Sequence, residues 1–261
     1  MIKAEIGVIG GTGIYSEDIP EKPKKIEVRT PYGKSKMIVG EYKGRNTAFI
    51  FRHGEKHSIP PHKVNSHANI FALKKIGVER IIGVAAVGSL REDMKPGDIV
   101  IPDQFIDMTK QRKTTFYDGP KVVHVSLADP FCSEMREVAN DVIKKLGLHF
   151  HSKGTYICIE GPRFSTRAES HLWRLMKADI IGMTLVPEVV LSREKEICYL
   201  TIATVTDYDC WRAQEAVTAE EVIKTMKKST ENVKNILEHL IPALPKERKC
   251  ICSKALEGAE I

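Results

Sequence analysis

Apolar residues in this 261-residue chain fall into short continuous runs that alternate with stretches of helical periodicity. Ala4 to Ile9 is the first run, and it breaks into Gly10-Gly11-Thr12-Gly13, which predicts a buried strand entering a tight turn. Lys36 to Tyr42 and Asn46 to Arg52 read as two strands joined as a hairpin at Lys43-Gly44-Arg45. After a long connection containing Pro60-Pro61, Ala68, Phe71, Ala72 and Ile76 recur at helical spacing from near Asn65, and Gly77 is the stop. Glu79 to Val87 is an almost unbroken apolar strand, and Ile99 to Pro102 is another, after the turn Lys95-Pro96-Gly97-Asp98. Asp107 to Asp129 carries little periodic signal. Ser133 to Leu146 suits a helix ended by Gly147, Thr155 to Glu160 a strand, and Ile197 to Thr206 the last strand. Thr218 to Leu240 is the longest helix, with Val222, Met226, Val233, Leu237 and Leu240 on one face. Such alternation predicts an α/β fold, a mostly parallel or mixed β-sheet flanked by helices on both faces, with ligands seated where strands end. No repeat or interdomain linker interrupts it, so residues 1–261 read as one domain.

Composition narrows the function classes. With 42% hydrophobic and 28% charged residues the chain can enclose a core under a charged surface. The net charge of +6 comes from lysines scattered along the sequence, without the aromatic interleaving of a nucleic-acid stripe, so no nucleic-acid partner is expected. A small anionic substrate fits the positive balance. The apolar run at the N-terminus is too short for a secretory h-region or a membrane span, and a cytoplasmic location without membrane association is expected. The six cysteines, Cys132, Cys158, Cys198, Cys210, Cys250 and Cys252, include no CxxC pair, which argues against zinc. Reduced thiols follow, with the disulfide-rich proteins of hyperthermophiles as the exception the even count leaves open.

Five segments carry candidate chemistry. The Gly10 to Gly13 turn offers backbone N–H groups and the Thr12 hydroxyl to phosphate oxygens, or is simply a tight turn. A dinucleotide fingerprint would need glycine where Ser16 stands, and a Walker loop would need Gly-Lys-Ser/Thr, which is absent. Arg52-His53-Gly54 supplies a guanidinium that forks onto phosphate and a histidine donor beside it. His57, His62 and His67 follow, and hydrogen bonding within their loop is preferred over a metal, because Pro60-Pro61 breaks the spacing. In Gly161 to Glu169, Ser165 or Thr166 caps a helix with Glu169 in reply. Met183 and Thr184 stand at a turn entering a helix, placed to serve sugar and phosphate or merely to pack. Asp207 and Asp209 follow an apolar strand, and strand alternation would aim both carboxylates to one side, where they would read and protonate a base or sit in a surface turn.

Taken together, GVIGGTGIY, FRHGEKHSIPPHKVNSHANI, GSLREDMKPGDIVIPDQFID, GPRFSTRAES, GMTLVPEVVL and ATVTDYDCW resemble the methylthioadenosine phosphorylase branch of the trimeric purine nucleoside phosphorylases. The resemblance runs from about Ile6 to Trp211 and implies a phosphorylase fold, no metal and no organic cofactor, with phosphate as co-substrate. It assigns phosphate contacts to Thr12, Arg52, His53, the Ala86 backbone N–H and Thr184, and the sugar to Met183. Asp207 would protonate purine N7, and Asp207 and Asp209 would accept hydrogen bonds from the edge carrying the 6-amino group. Relatives selective for 6-oxopurines place asparagine where Asp207 stands and glutamate where Ser165 stands. Ser165 and Asp207 therefore argue for adenine, since a carboxylate accepts from an amine whereas a 6-oxo group requires a donor.

His124 matches a position that reaches a neighbouring subunit's 5' end, which implies a homo-oligomer, a trimer or a hexamer of paired trimers; the 5' pocket also depends on the helix near Ala219. Ala85 departs from the threonine frequent in the family, which removes one hydroxyl contact to phosphate. The Cys250-Ile251-Cys252 tail resembles that of heat-stable archaeal members, which carry structural disulfides and often accept adenosine; two unpaired thiols are the alternative. The implied reaction is phosphorolysis of 5'-methylthioadenosine in purine and methionine salvage, with a 6-oxopurine phosphorylase as runner-up. A dinucleotide-dependent oxidoreductase and a non-catalytic nucleoside-binding protein are the more distant readings.

Overall fold

The computed structural model describes residues 2–11, 20–212 and 218–261, apart from the side chains of 221–224 and 226–228. Its frame is an 11-stranded mixed sheet. Strand β1 (Ile6–Gly10) lies between β4 (Arg45–Phe51) and β5 (Arg80–Ser89), parallel to both. The antiparallel strands β2 (Glu21–Thr30) and β3 (Gly33–Tyr42) extend that edge. The β3–β4 hairpin turns on Lys43 and Gly44, both at positive φ, as the twist of a two-residue turn requires. The sequence pattern does not show β2, because EKPKKIEVRT is an outer strand whose inward face carries only Ile26 and Val28 among lysines.

On the other side β5 is the branch point. β11 (Cys198–Asp207) pairs with it in parallel along its whole length, and β6 (Ile99–Val100) joins β11, followed by β8 (Phe150–His151). On the opposite edge, pairing with β1 ends at Gly83, and antiparallel pairing with β10 (Ile180–Gly182) covers only Gly88 and Ser89. β9 (Thr155–Ile159) and β7 (Gln104–Met108) then continue the sheet beyond β10. Between Gly83 and Gly88, no described strand covers that edge of β5, and a crevice opens there between β1 and β10. Ligands in open α/β sheets settle at such switch points.

Helices cover both faces. β5 directs Ile81, Ala85 and Val87 into one core with α1 (Ser66–Lys75) and α4 (Leu185–Glu194), and Ile82 and Val84 into another with α2 (Ser133–Lys145) and α5 (Ala219–Ala243). This is the period-2 alternation of a strand buried on both sides. Asn65 caps α1 by accepting from the Ala68 N–H at 3.0 Å. Gly77 and Gly147, both at positive φ, follow the ends of α1 and α2. α3 (Arg167–Leu175) starts with the expected capping box, formed by Thr166 and Glu169 rather than Ser165.

Candidate active site

The crevice beside β5 gathers one group of residues from its β1 side and another from its β11 side. On the first side Arg52 follows the end of β4, and its backbone N–H donates to the Gly10 carbonyl at 3.0 Å, which fixes it at the mouth of the Gly10-Gly11 turn. Its side chain is buried. Nε donates to Glu188 Oε1 at 2.5 Å and Nη2 to Glu188 Oε2 at 3.0 Å, while Nη1 donates to the Val84 carbonyl at 3.1 Å. Burial works against the guanidinium charge, but the Glu188 carboxylate more than restores it and holds its pKa above the ordinary value. The fork expected to grip phosphate is therefore closed on Glu188. A Cβ on Gly11 would stand 3.8 Å from both Arg52 Nη1 and His53 Cδ2, so these two edges flank the glycine turn.

His53 Nδ1 lies 2.8 Å from the Ile59 carbonyl. A carbonyl only accepts, so Nδ1 carries the proton and Nε2 is the acceptor of the neutral ring. Burial, and then the neighbouring Arg52 charge, press its pKa down to about 4. The sequence predicts His53 as a donor to phosphate; with the proton on Nδ1, Nε2 of the neutral ring accepts instead. The His57 ring lies tilted against His53, centroids 4.6 Å apart, and His67 Nε2 lies 2.8 Å from the Thr115 carbonyl, in a different loop from the one expected.

β5 supplies the floor. Val84 turns its carbonyl to Arg52, so alternation turns the Ala86 N–H to the same crevice and the Ala85 N–H toward β11. Thr184 stands at the N-terminus of α4, where its hydroxyl makes no capping bond. The Met183-Thr184 turn is held by Arg112, whose Nη1 donates to the Met183 carbonyl at 2.7 Å and whose Nη2 donates to Glu160 O at 2.6 Å. Sequence reasoning missed both Arg112 and Glu188. The first lies in a stretch without periodicity, and the second had one signal, a carboxylate within the apolar run VPEVV.

On the β11 side, Asp207 ends the strand. Its Oδ2 accepts from the Thr206 hydroxyl at 2.7 Å and its Oδ1 from the Asp209 N–H at 2.8 Å. The strand alternation expected to align the two aspartates does not persist, since Asp209 adopts a left-handed conformation with φ 49°. The carboxylates converge because a tight turn folds Asp209 back over Asp207. Gly88 makes the approach possible: a Cβ there would stand 2.9 Å from Asp207 Oδ1. Burial, opposed by the facing Ser170 hydroxyl and joined by the Asp207 charge, raises the Asp209 pKa. Ser165 also faces Asp209, and its carbonyl accepts from the Cys210 thiol at 3.2 Å. Trp211 Nε1 donates to the Ser89 carbonyl at 2.8 Å and pins the turn over the end of β5.

Thr12 lies outside the described residues. His124 and Ala219 are exposed in the single chain, and the His124 backbone N–H donates to the Ala259 carbonyl at 2.8 Å. Away from the crevice, the sulfurs of Cys132, Cys198, Cys250 and Cys252 all lie within 4.8 Å of one another. Spacing along the chain argued against such a cluster; the fold assembles it by packing the C-terminal turn against α2 and β11. Asp98, His149 and His151 form a second, more exposed group, in which the Asp98 carboxylate accepts from His149 Nδ1 at 3.2 Å and His151 Nε2 at 3.0 Å.

Comparison with known proteins agrees with this layout. The phosphorylase superfamily matches residues 5–242. An S-methyl-5'-thioadenosine phosphorylase of Thermofilum pendens is 62% identical, with 100% of both chains covered. Among solved structures, a methylthioadenosine phosphorylase from an antarctic soil metagenomic library superposes with a TM-score of 0.94 at 44% identity, over 100% of this chain and 93% of the other. A mutant adenosine/methylthioadenosine phosphorylase of Schistosoma mansoni, in complex with methylthioadenosine, superposes with a TM-score of 0.90 at 36% identity, over 98% and 96% of the two chains. The mixed sheet, the crevice at its switch point and these likenesses together identify the chain as a member of the phosphorylase superfamily, in its methylthioadenosine phosphorylase branch.

Proposed function

We propose that the chain cleaves the N-glycosidic bond of 5'-methylthioadenosine with inorganic phosphate, yielding adenine and 5-methylthioribose 1-phosphate. The observation that carries this reading is the paired carboxylate turn at Asp207 and Asp209, with Ser165 beside it, at the end of a crevice whose other side is lined by Arg52 and Gly11. A phosphate oxygen attacks C1' as the C1'–N9 bond breaks. The bond's electron pair passes to the purine, which takes a proton at N7 from Asp207. Asp207 enters the step as the neutral acid, and its other oxygen and Asp209 accept from the 6-amino edge.

Phosphate sits among Thr12, Arg52, His53, the Ala86 N–H and Thr184, with the Ala85 methyl in place of a hydroxyl. Met183 meets the sugar. Ala219 and His124 of a neighbouring copy meet the 5' end. Residues 1–261 act as one domain, no metal or organic cofactor enters the step, and the enzyme works as a homo-oligomer, a trimer or paired trimers, in the cytoplasm. Exposed apolar side chains on and flanking α3, Phe164, Leu172, Leu175 and Met176, support the association. Among the described residues no helix is long and apolar enough to cross a membrane. Relative kcat/KM values for methylthioadenosine, adenosine and inosine test the assignment. We expect the two 6-amino nucleosides to be used and inosine to lag by about two orders of magnitude; comparable use of inosine would contradict the reading of Asp207 and Ser165.

All six cysteines are free thiols in this structure, with Cys198 and Cys250 Sγ 3.3 Å apart, and the proximity of the four clustered sulfurs supports the disulfides that the C-terminal Cys-x-Cys implies for the oxidised chain. Denatured protein prepared without reductant is expected to titrate two free thiols, Cys158 and Cys210, leaving Cys132, Cys198, Cys250 and Cys252 cross-linked. Six free thiols would overturn this, and zinc released on denaturation would reassign the cluster to a metal.

A further inference from the structure

Glu188 is a carboxylate only 1% exposed, on a helix turn flanked by Val186, Pro187 and Val189. Burying it costs several kcal/mol unless its charge is paired and its lone pairs are met. Oε1 takes Arg52 Nε at 2.5 Å, and Oε2 takes Arg52 Nη2 at 3.0 Å and the Tyr199 hydroxyl at 2.7 Å. The Tyr199 hydroxyl reaches this point because Gly83, on the adjoining strand, has no side chain in its way. The Tyr199 ring also packs in the core with α1 and α4, but its hydroxyl and the Glu188 carboxylate are polar groups that such packing does not require. Their common object is the guanidinium.

The donors of Arg52 can be followed one by one. A guanidinium has five N–H groups. Nε–H and one on Nη2 go to Glu188, the other on Nη2 to the Ile9 carbonyl at 3.3 Å, and one on Nη1 to the Val84 carbonyl at 3.1 Å. The one remaining, without an acceptor among the described residues, is on Nη1, the atom that flanks the Gly11 turn. The charges cancel as well: Arg52 is offset by Glu188, and the His53 ring is neutral. The seat thus offers an anion oriented N–H groups and no net positive charge.

We propose that Glu188, backed by Tyr199, is a positioning residue that aims the free Arg52 N–H into the crevice and cancels its charge, so that bound phosphate keeps its own charge for the sugar cation. The proposal rests on reading this crevice as the phosphate seat. An unbalanced guanidinium would grip ground-state phosphate harder and draw its charge away from C1'. Only interactions stronger in the transition state than in the ground state speed the reaction.

Two variants test it, Glu188→Gln and Tyr199→Phe, read by steady-state kinetics and by the rise in thermal midpoint that saturating phosphate gives the nucleoside-free enzyme. Glu188→Gln is expected to lower kcat about a hundredfold while phosphate KM falls and the phosphate-induced rise grows. Tyr199→Phe should move all three readings the same way by about threefold, and it decides the matter if Glu188→Gln does not fold. Restoring the carboxylate in Glu188→Asp should recover part of kcat. An unchanged kcat, or a raised phosphate KM at unchanged kcat, in the folded variant would overturn the proposal. A wild-type midpoint indifferent to phosphate would instead remove the phosphate seat itself.

Discussion

Replacing Asp207 by asparagine is expected to cut methylthioadenosine turnover by roughly two to four orders of magnitude, the usual contribution of a positioned general acid. The fold should survive, because the substitution keeps the side chain's size and therefore its fit over Gly88. The amide oxygen continues to accept from the Asp209 N–H, and the Thr206 hydroxyl can reverse to accept from the new amide. What is lost is the proton for N7 and one acceptor for the 6-amino group. What is gained is a donor suited to a 6-oxo group, so the ratio of inosine to methylthioadenosine kcat/KM should rise by about tenfold or more. Kinetics on both nucleosides at matched phosphate measure this, and an unchanged ratio would remove Asp207 from base recognition.

Arg52→Ala is expected to act on binding and stability together. Phosphate KM should rise by roughly two orders of magnitude, because the variant loses the free N–H and also exposes the anion to the now unbalanced Glu188 carboxylate. That buried and unpaired charge should destabilise the protein by about 3–5 kcal/mol. The two effects separate in the double variant Arg52→Met with Glu188→Leu. Apolar replacement of the whole pair should recover most of the stability and none of the phosphate affinity. Denaturant unfolding and phosphate-dependent kinetics on the two variants read each effect. Phosphate dependence like that of the wild type in either variant would remove Arg52 from the anion seat.

Arg52, His53, Asp207 and Asp209 were legible in the sequence because each follows a strong apolar run, and strand ends are where α/β sheets present chemistry. Their manner of action was less so. Whether Arg52 forks onto a ligand or onto Glu188 depends on a residue 136 positions away, and no local pattern records that partner. Asp209 reaches the crevice through a left-handed turn, which alternation along β11 could not anticipate. The four clustered cysteines come from three separate parts of the chain, so a search for close spacing passes over them. The omitted strands have their own reasons: β2 carries charges on both faces, β7 breaks alternation at Phe105-Ile106, and β8 and β10, of two and three residues, are too short to show a period.

The alternation did yield β1, β3, β4, β5, β6, β9 and β11, with α1, α2 and α5, to within a few residues, and Glu79 to Val87 and Ile197 to Thr206 are apolar on both faces, as only central strands are. The branch in β5 was not visible. Gly83 and Gly88 bound the uncovered edge, yet in sequence they are two glycines in an apolar run.

The most direct test of the account is release of free adenine from methylthioadenosine, followed with and without inorganic phosphate. We predict stoichiometric adenine and 5-methylthioribose 1-phosphate when phosphate is present and no turnover when it is withheld. Adenine formed at the same rate without phosphate, with free methylthioribose as the second product, would contradict it.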